Sequence, residues 1–325
     1  MKTISILVPE SSVLEAVVDP RYLFTSVNWF LQAAGNPALF EVYLIGQTKE
    51  VKLQQGVFSV HVDFLLEEAP KTDLVIIPAL FGDITTALAL NQAAIPWIVY
   101  HYRQGAELAS LCVGAFLLAS TGLLEGKQCS THWAFMNQFR AMFPEVCLVD
   151  GGIITEEQGI YTSGGANSYW NLLLYLVEKY TSRDTAIMAA KYFAIDIDRD
   201  NQSAFTIFKG QKEHPDEEIK KAQEFIEANY QEKILVDQLS DMLALSRRSF
   251  ERRFKKATHN TVLEYIQRVK IEAAKRNFEM SRKNINEVMF ESGYTDTKAF
   301  RSVFKKITGL TPIEYRNKYN KDVEK

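Results

Sequence analysis

An internal repeat constrains this chain more than any other feature. Residues 249–265 align without a gap on residues 299–315, fifty positions later. Phe250 and Phe300, Phe254 and Phe304, Lys255-Lys256 and Lys305-Lys306 coincide, as do Thr258 and Thr308, Thr261 and Thr311, Glu264 and Glu314, and Tyr265 and Tyr315. A period of this length implies one supersecondary unit built twice.

Each copy reads as helix, turn, helix. In the first, Leu235, Leu239 and Met242 recur at helical spacing while Asp237 and Asp241 face out. A break falls at Ala244-Leu245, and Ser246 is an N-cap type. In the second, Ile285, Val288 and Met289 form the apolar face, Gly293-Tyr294 supplies the turn, and Asp296 caps the next helix. Gly293 suits the turn because it takes positive φ without a Cβ penalty. Phe250 and Phe254 bury one stripe of the second helix, as do Phe300 and Phe304, so these are scaffold positions. The opposite faces carry Arg247, Arg248, Arg252, Lys255 and Lys256 in one copy, and Lys298, Arg301, Lys305 and Lys306 in the other. A helix held by aromatics on one side and crowded with cations on the other fits a DNA major groove. Between the copies, apolar spacing over 262–278 (Leu263, Ile266, Val269, Ile271, Ala274, Phe278) predicts a long helix.

Charge divides the chain at the same place. The 325 residues carry a net charge of −3, but residues 1–233 hold 28 Asp and Glu against 17 Lys and Arg. Residues 234–325 hold 12 against 20, which is +8. A basic module joined to an acidic one suits a protein that meets a polyanion at one end only.

Residues 292–316 resemble the signature of the AraC/XylS family of bacterial transcription regulators. The resemblance implies two helix-turn-helix units that place both recognition helices in successive major grooves. By position it assigns base reading to Arg248 and Arg252 in the first copy, and to Thr297, Lys298, Arg301 and Ser302 in the second. The four lysines 255, 256, 305 and 306 are expected to set register on phosphates, and Arg247 is a further DNA-binding candidate.

The acidic region alternates strands and helices. Short apolar runs at 4–8, 40–45, 74–77 and 108–111 predict buried strands; 22–34, 85–93, 113–120 and 166–180 predict helices. Residues 149–155 and 159–162 add a hairpin-like stretch. This is the pattern of an α/β domain with a largely parallel sheet flanked by helices. The informative segment is the strand that runs into Cys112, then Gly114, then a helix, which has the form of a nucleophile elbow. A helix N-terminus stabilises a thiolate, so Cys112 is expected to have a depressed pKa. His132 lies downstream as its candidate partner.

Cys112 to Ala119, Gly122 to Lys127, Ser130 to Trp133 and the turn Tyr161-Thr-Ser-Gly-Gly-Ala166 resemble the type 1 glutamine amidotransferase-like (PfpI-like) domain fused to many AraC regulators. The resemblance implies a Cys-His pair completed by an acid, with oxyanion-hole amides near Gly82 and at Val113. The chain departs from that pattern. No acid follows His132 closely, and the loop at Pro78 to Asp83 replaces a compact Pro-Gly-Gly turn. Glu10 or Glu15 is the candidate carboxylate. Hydrolysis needs an oriented base, so the departures weigh against turnover, with Cys112 and His132 as vestigial catalytic residues. The expected ligand pocket comprises Glu10, Gly82, Cys112, Val113, His132 and Gly164.

These readings give three segments: an α/β sensor domain at 1–195, a linker at 196–215, and an all-α domain with two helix-turn-helix units at 216–325. A helix at 216–230 connects into the last. The composition, 47% hydrophobic and 24% charged, is that of a globular protein. Three cysteines without CxxC spacing indicate neither a disulfide framework nor a zinc site, and a reducing, cytoplasmic setting. No apolar run reaches the roughly 20 residues of a membrane span, and the N-terminus lacks a signal-peptide pattern. Residues 196–201 imitate half a calcium loop but lack its glycine and its closing glutamate, so no metal or cofactor is expected. The chain therefore reads as a homodimeric transcription regulator that binds promoter DNA, responds to a small-molecule effector and meets RNA polymerase. The alternative is a cysteine-dependent hydrolase or hydratase acting on a small nitrogen compound, with the DNA module fused to it.

Overall fold

The computed structural model describes residues 1–197, 202–212 and 214–320. The chain divides into two units, Met1–Gln202 and Ser203–Lys325.

The first unit is built on a seven-stranded sheet. In chain order the strands are β1 (Lys2–Leu7), β2 (Phe40–Gly46), β3 (Glu50–Leu53), β4 (Phe58–His61), β5 (Phe64–Leu65), β6 (Leu74–Ile77), β7 (Glu107–Ser110), β8 (Gln128–Cys129), β9 (Cys147–Leu148), β10 (Ile154–Glu157) and β11 (Ile160–Ser163). The sheet order is β10-β11-β7-β6-β1-β2-β5, and β3-β4 and β8-β9 form two small satellite pairs. Every pairing in the large sheet is parallel except β10 with β11. Register sets Ile6 beside Ile76 and Ile77 beside Ser110. All four residues of β6 are buried, as expected of a parallel strand covered on both faces.

The helices of this unit are α1 (Leu14–Ala33), α2 (Ile84–Leu90), α3 (Ala94–Arg103), α4 (Ala115–Ala119), α5 (Met136–Met142), α6 (Tyr169–Tyr180) and α7 (Arg183–Phe193). α1, α6 and α7 pack together, and α4 packs with α2 and α3. The helix expected at 22–34 starts at Leu14 and runs through Pro20. A proline inside a helix removes one hydrogen bond and crowds the preceding turn. Here the buried stripe of Ala16, Val17, Pro20, Leu23, Phe24, Val27 and Phe30 holds the helix together regardless.

The second unit is helical: α8 (Glu217–Ala228), α9 (Val236–Met242), α10 (Arg247–Thr258), α11 (Val262–Met280), α12 (Ile285–Glu291), α13 (Thr297–Thr308) and α14 (Pro312–Tyr319). The repeat is now explained residue by residue. Thr261 and Thr311 close capping boxes with Glu264 and Glu314. Thr258 and Thr308 each donate to the carbonyl four residues back at 2.8 Å. Tyr265 and Tyr315 are buried with their hydroxyls donating to Glu227 and Glu279. One aromatic cluster surrounds Phe250 and Phe254, another Phe300 and Phe304.

The segment expected as a linker is attached at both ends. Gln202 donates from Nε2 to Thr131 O at 3.0 Å within the first unit. Phe208 packs on Tyr265 with ring centroids 5.2 Å apart in the second. Residues 198–201 and 213, with most of the aspartate-rich stretch, lie outside the described residues.

Candidate functional site

The elbow is present. β7 ends at Ser110, and Cys112 takes a left-handed φ of 55° before α4, a conformation that costs a non-glycine residue about 1–2 kcal/mol. Gly114 permits the tight turn: a Cβ there would lie 2.5 Å from Pro78 O and 2.6 Å from Ile77 O, inside the end of β6. Cys112 N donates to Ser163 Oγ at 3.2 Å, and Thr131 Oγ1 donates to Cys112 O at 3.1 Å. The strained residue is thus stitched to β11 and to the segment carrying His132.

The thiol is buried. Burial pushes Cys112 up to about 12, and a hydrogen bond from the Val113 amide opposes this without reversing it. The expected depression of its pKa is therefore overturned. α4 spans only five residues, and its dipole does not outweigh desolvation of a thiol that is 6% exposed.

His132 is committed elsewhere. It caps the short helical turn that follows, with Nδ1 accepting from Ala134 N at 3.1 Å. A neutral ring that accepts at Nδ1 carries its hydrogen on Nε2. Burial also lowers its pKa. Among the described residues no carboxylate bonds to this ring. Glu10 is held by its backbone, giving and receiving hydrogen bonds with the Asn91 side chain at 2.9 and 2.8 Å. Glu15 is exposed. Gly82 lies exposed in a left-handed turn, and Val113 is buried. Gly164 faces the side chains of Gln202 and Ser130, which fill the space a Cβ would need.

Three residues of this region carry no sequence signal. Asp19 accepts from Tyr169 OH at 2.7 Å. Burial raises the Asp19 carboxyl, and burial followed by Asp19 raises the Tyr169 phenol, with Glu15 and Cys112 adding to it. Asp19 is not among the acids expected beside the Cys-His pair, which are Glu10 and Glu15. Gln202 is the third, closing over Gly164 from the far end of the unit. Among the described residues no cluster of three His, Cys, Asp or Glu side chains could hold a metal.

The second candidate site is the pair α10 and α13. Ser246 and Asp296 cap them, each accepting from the backbone three residues on, and left-handed His259 and Gly309 end them. On α10, Arg248, Arg252, Lys255 and Lys256 are exposed; on α13, Lys298, Arg301, Ser302, Lys305 and Lys306 are exposed and Thr297 is half-buried. Among the described residues no ion pair engages these eight cations. Arg247 differs, reaching Glu251 at 3.1 Å and Asp237 at 3.2 Å. Arg253 points inward, bonding Asp216 at the start of α8 through Nε and Nη2 at 2.9 and 2.5 Å.

Comparison with known proteins follows this division. A family model described as DJ-1/PfpI family matches residues 12–179, and a helix-turn-helix domain model matches residues 239–318. The HTH-type transcriptional regulator GbdR of Pseudomonas aeruginosa is 24% identical over 251 residues, covering 77% of this chain and 67% of that protein. The HTH-type transcriptional regulator ArgR of the same organism is 25% identical over 231 residues, 71% of this chain and 68% of that protein. Among solved structures, a ThiJ/PfpI family protein from Pseudomonas syringae is similar with a TM-score of 0.51 and 18% identity, over 61% of this chain and 76% of that one.

Proposed function

Because this chain belongs to the DJ-1/PfpI family over more than half its length and ends in a helix-turn-helix domain, we infer that it is a DNA-binding transcription regulator. One observation carries the reading: two helices on a repeated scaffold, each with exposed cations on the face away from its aromatic core. The names of GbdR and ArgR, both HTH-type transcriptional regulators, support it. The regulator works in the cytoplasm as a homodimer on promoter DNA, with RNA polymerase as its further contact. Its first unit senses a small molecule without turning it over, and that ligand acts by favouring one arrangement of the protein over another.

Selection of the full-length protein on random-sequence duplex DNA, at two salt concentrations, tests this. The expected result is a two-block site, with blocks about one helical turn apart, whose affinity falls steeply with salt. No enrichment at either salt contradicts it.

A second reading draws on the left-handed backbone at Cys112 and makes it the nucleophile of a hydrolase or hydratase. That requires a base on the thiol. Iodoacetamide labelling of the folded protein at pH 7 separates the two. The regulator reading predicts that exposed Cys147 labels first, while buried Cys112 and Cys129, both pushed up to about 12 by burial, stay protected. Rapid labelling of Cys112 supports the enzyme.

A further inference from the structure

The second unit has two cores that share one helix. Val269 of α11 belongs to the cluster around Phe254, and Ile271 to the cluster around Phe304. Lys270 stands between them, 7% exposed. Among the described residues its ammonium meets no carboxylate. It donates instead to Glu232 O at 3.1 Å and Gly293 O at 2.9 Å, and lies 5.6 Å from the centre of the Tyr294 ring.

The two carbonyls come from segments that lead into different copies of the repeat. Glu232 lies in the stretch from α8 to α9, ahead of the first helix-turn-helix. Gly293 is the left-handed turn of the second, three residues before Asp296, the cap of α13. The backbones themselves touch here. A Cβ on Gly293 would sit 2.5 Å from Gln231 O, 2.7 Å from Tyr230 O and 2.7 Å from Lys270 Nζ. Gly293 thus meets two demands, positive φ for the turn and close approach to the segment that leads into the first copy. A buried ammonium is costly unless its hydrogens are bonded, and this one bonds across the seam.

We propose that Lys270 is a positioning residue which, through Gly293, locks the two recognition helices at one separation, so that the protein accepts DNA sites of one spacing between blocks. α11 provides the rod, about 1.5 Å per residue over its length, and the Lys270 seam fixes rotation and tilt of one copy about it. One inserted base pair moves a block by about 3.4 Å and turns it by about 35°. A locked pair of helices follows only one such arrangement, whereas a loose pair follows several.

The proposal rests on the DNA-binding reading, and its test keeps the two apart. The site selected above is remade with one base pair inserted or deleted between blocks, and binding of full-length wild type, Lys270→Met and Lys270→Gln is compared, alongside a duplex holding a single block. Wild type should lose affinity about tenfold or more at the wrong spacing, of the order of one mismatched base pair. Lys270→Met should lose less than about threefold, with single-block binding unchanged. Lys270→Gln keeps a donor, guards against an unfolded methionine variant, and should fall between. A folded Met or Gln variant that keeps the full wild-type spacing penalty overturns the proposal while the DNA-binding reading stands. Failure of wild type to enrich any two-block site removes that reading and the proposal with it.

Discussion

The two helix-turn-helix copies agree on the inside and differ on the outside. Their buried phenylalanines, capping threonines and tyrosines coincide at every matched position. So do the lysine pairs 255–256 and 305–306 at the ends of α10 and α13. The earlier turns of the two helices do not match: Arg247 stands where the second copy has Thr297, Arg248 where it has Lys298, Glu251 where it has Arg301, and Arg252 where it has Ser302. The shared residues hold the scaffold, and in the proposed reading the lysine pairs meet phosphate while the divergent residues near the helix start meet base edges. One scaffold therefore carries two different outer faces, which the proposed function makes two reading heads. A turn separates them too. From left-handed Ala244 to the cap Ser246 the first copy has one intervening residue, and from Gly293 to Asp296 the second has two.

The largest expected effects probe the shared interior. Phe254→Ala and Phe304→Ala should each raise local opening, read by amide exchange of α10 and α13, by about 3–5 kcal/mol. Equal losses sustain the equivalence, and a loss below about 1 kcal/mol in either breaks it. Next come the two turns. Gly293→Ala forces a left-handed alanine into contact with Gln231 O and Tyr230 O, and should cost about 2–4 kcal/mol. Ala244→Gly relieves a strained φ of 53° against the greater entropy of a glycine chain, for a net gain below about 1 kcal/mol. Similar magnitudes in the two copies would mean that Gly293 serves the turn alone.

A smaller effect belongs to the first copy only. The Arg253 guanidinium holds the Asp216 carboxyl below the usual carboxylate range, and the matching residue in the second copy is Val303. A depressed carboxylate stabilises the fold above its unfolded pKa of about 3.9 and loses that contribution as pH falls through the folded value. Asp216→Asn keeps the cap but weakens the pair, so it should destabilise by about 1 kcal/mol at neutral pH and progressively less in acid. An equal loss at both pH values would show that the charge plays no part.

The repeat was legible because each matched residue does local work: a threonine caps the helix it starts, and phenylalanines four apart share a stripe. The parallel sheet was legible from its uninterrupted apolar strands, and the elbow from Cys112 and Gly114. What the sequence did not disclose depends on partners far along the chain. The helix expected at 22–34 begins at Leu14, because packing of its neighbours carries α1 through Pro20. The thiol at Cys112 was expected to be acidified by a helix end, and burial reversed the sign. Asp19, Gln202 and Lys270 carry no motif, because their roles exist only once Tyr169, Gly164 and Gly293 are brought to them.

The central claim, that α10 and α13 each read a different block of one DNA site, is tested most directly by repeating the random-sequence selection with Arg252→Ala and with Arg301→Ala. A good arginine–guanine contact discriminates by about 1–3 kcal/mol. Each variant should lose preference at one base position, in opposite blocks, and keep the rest of the site. A uniform fall in affinity across all sequences, or relaxation of the same block by both, would contradict it.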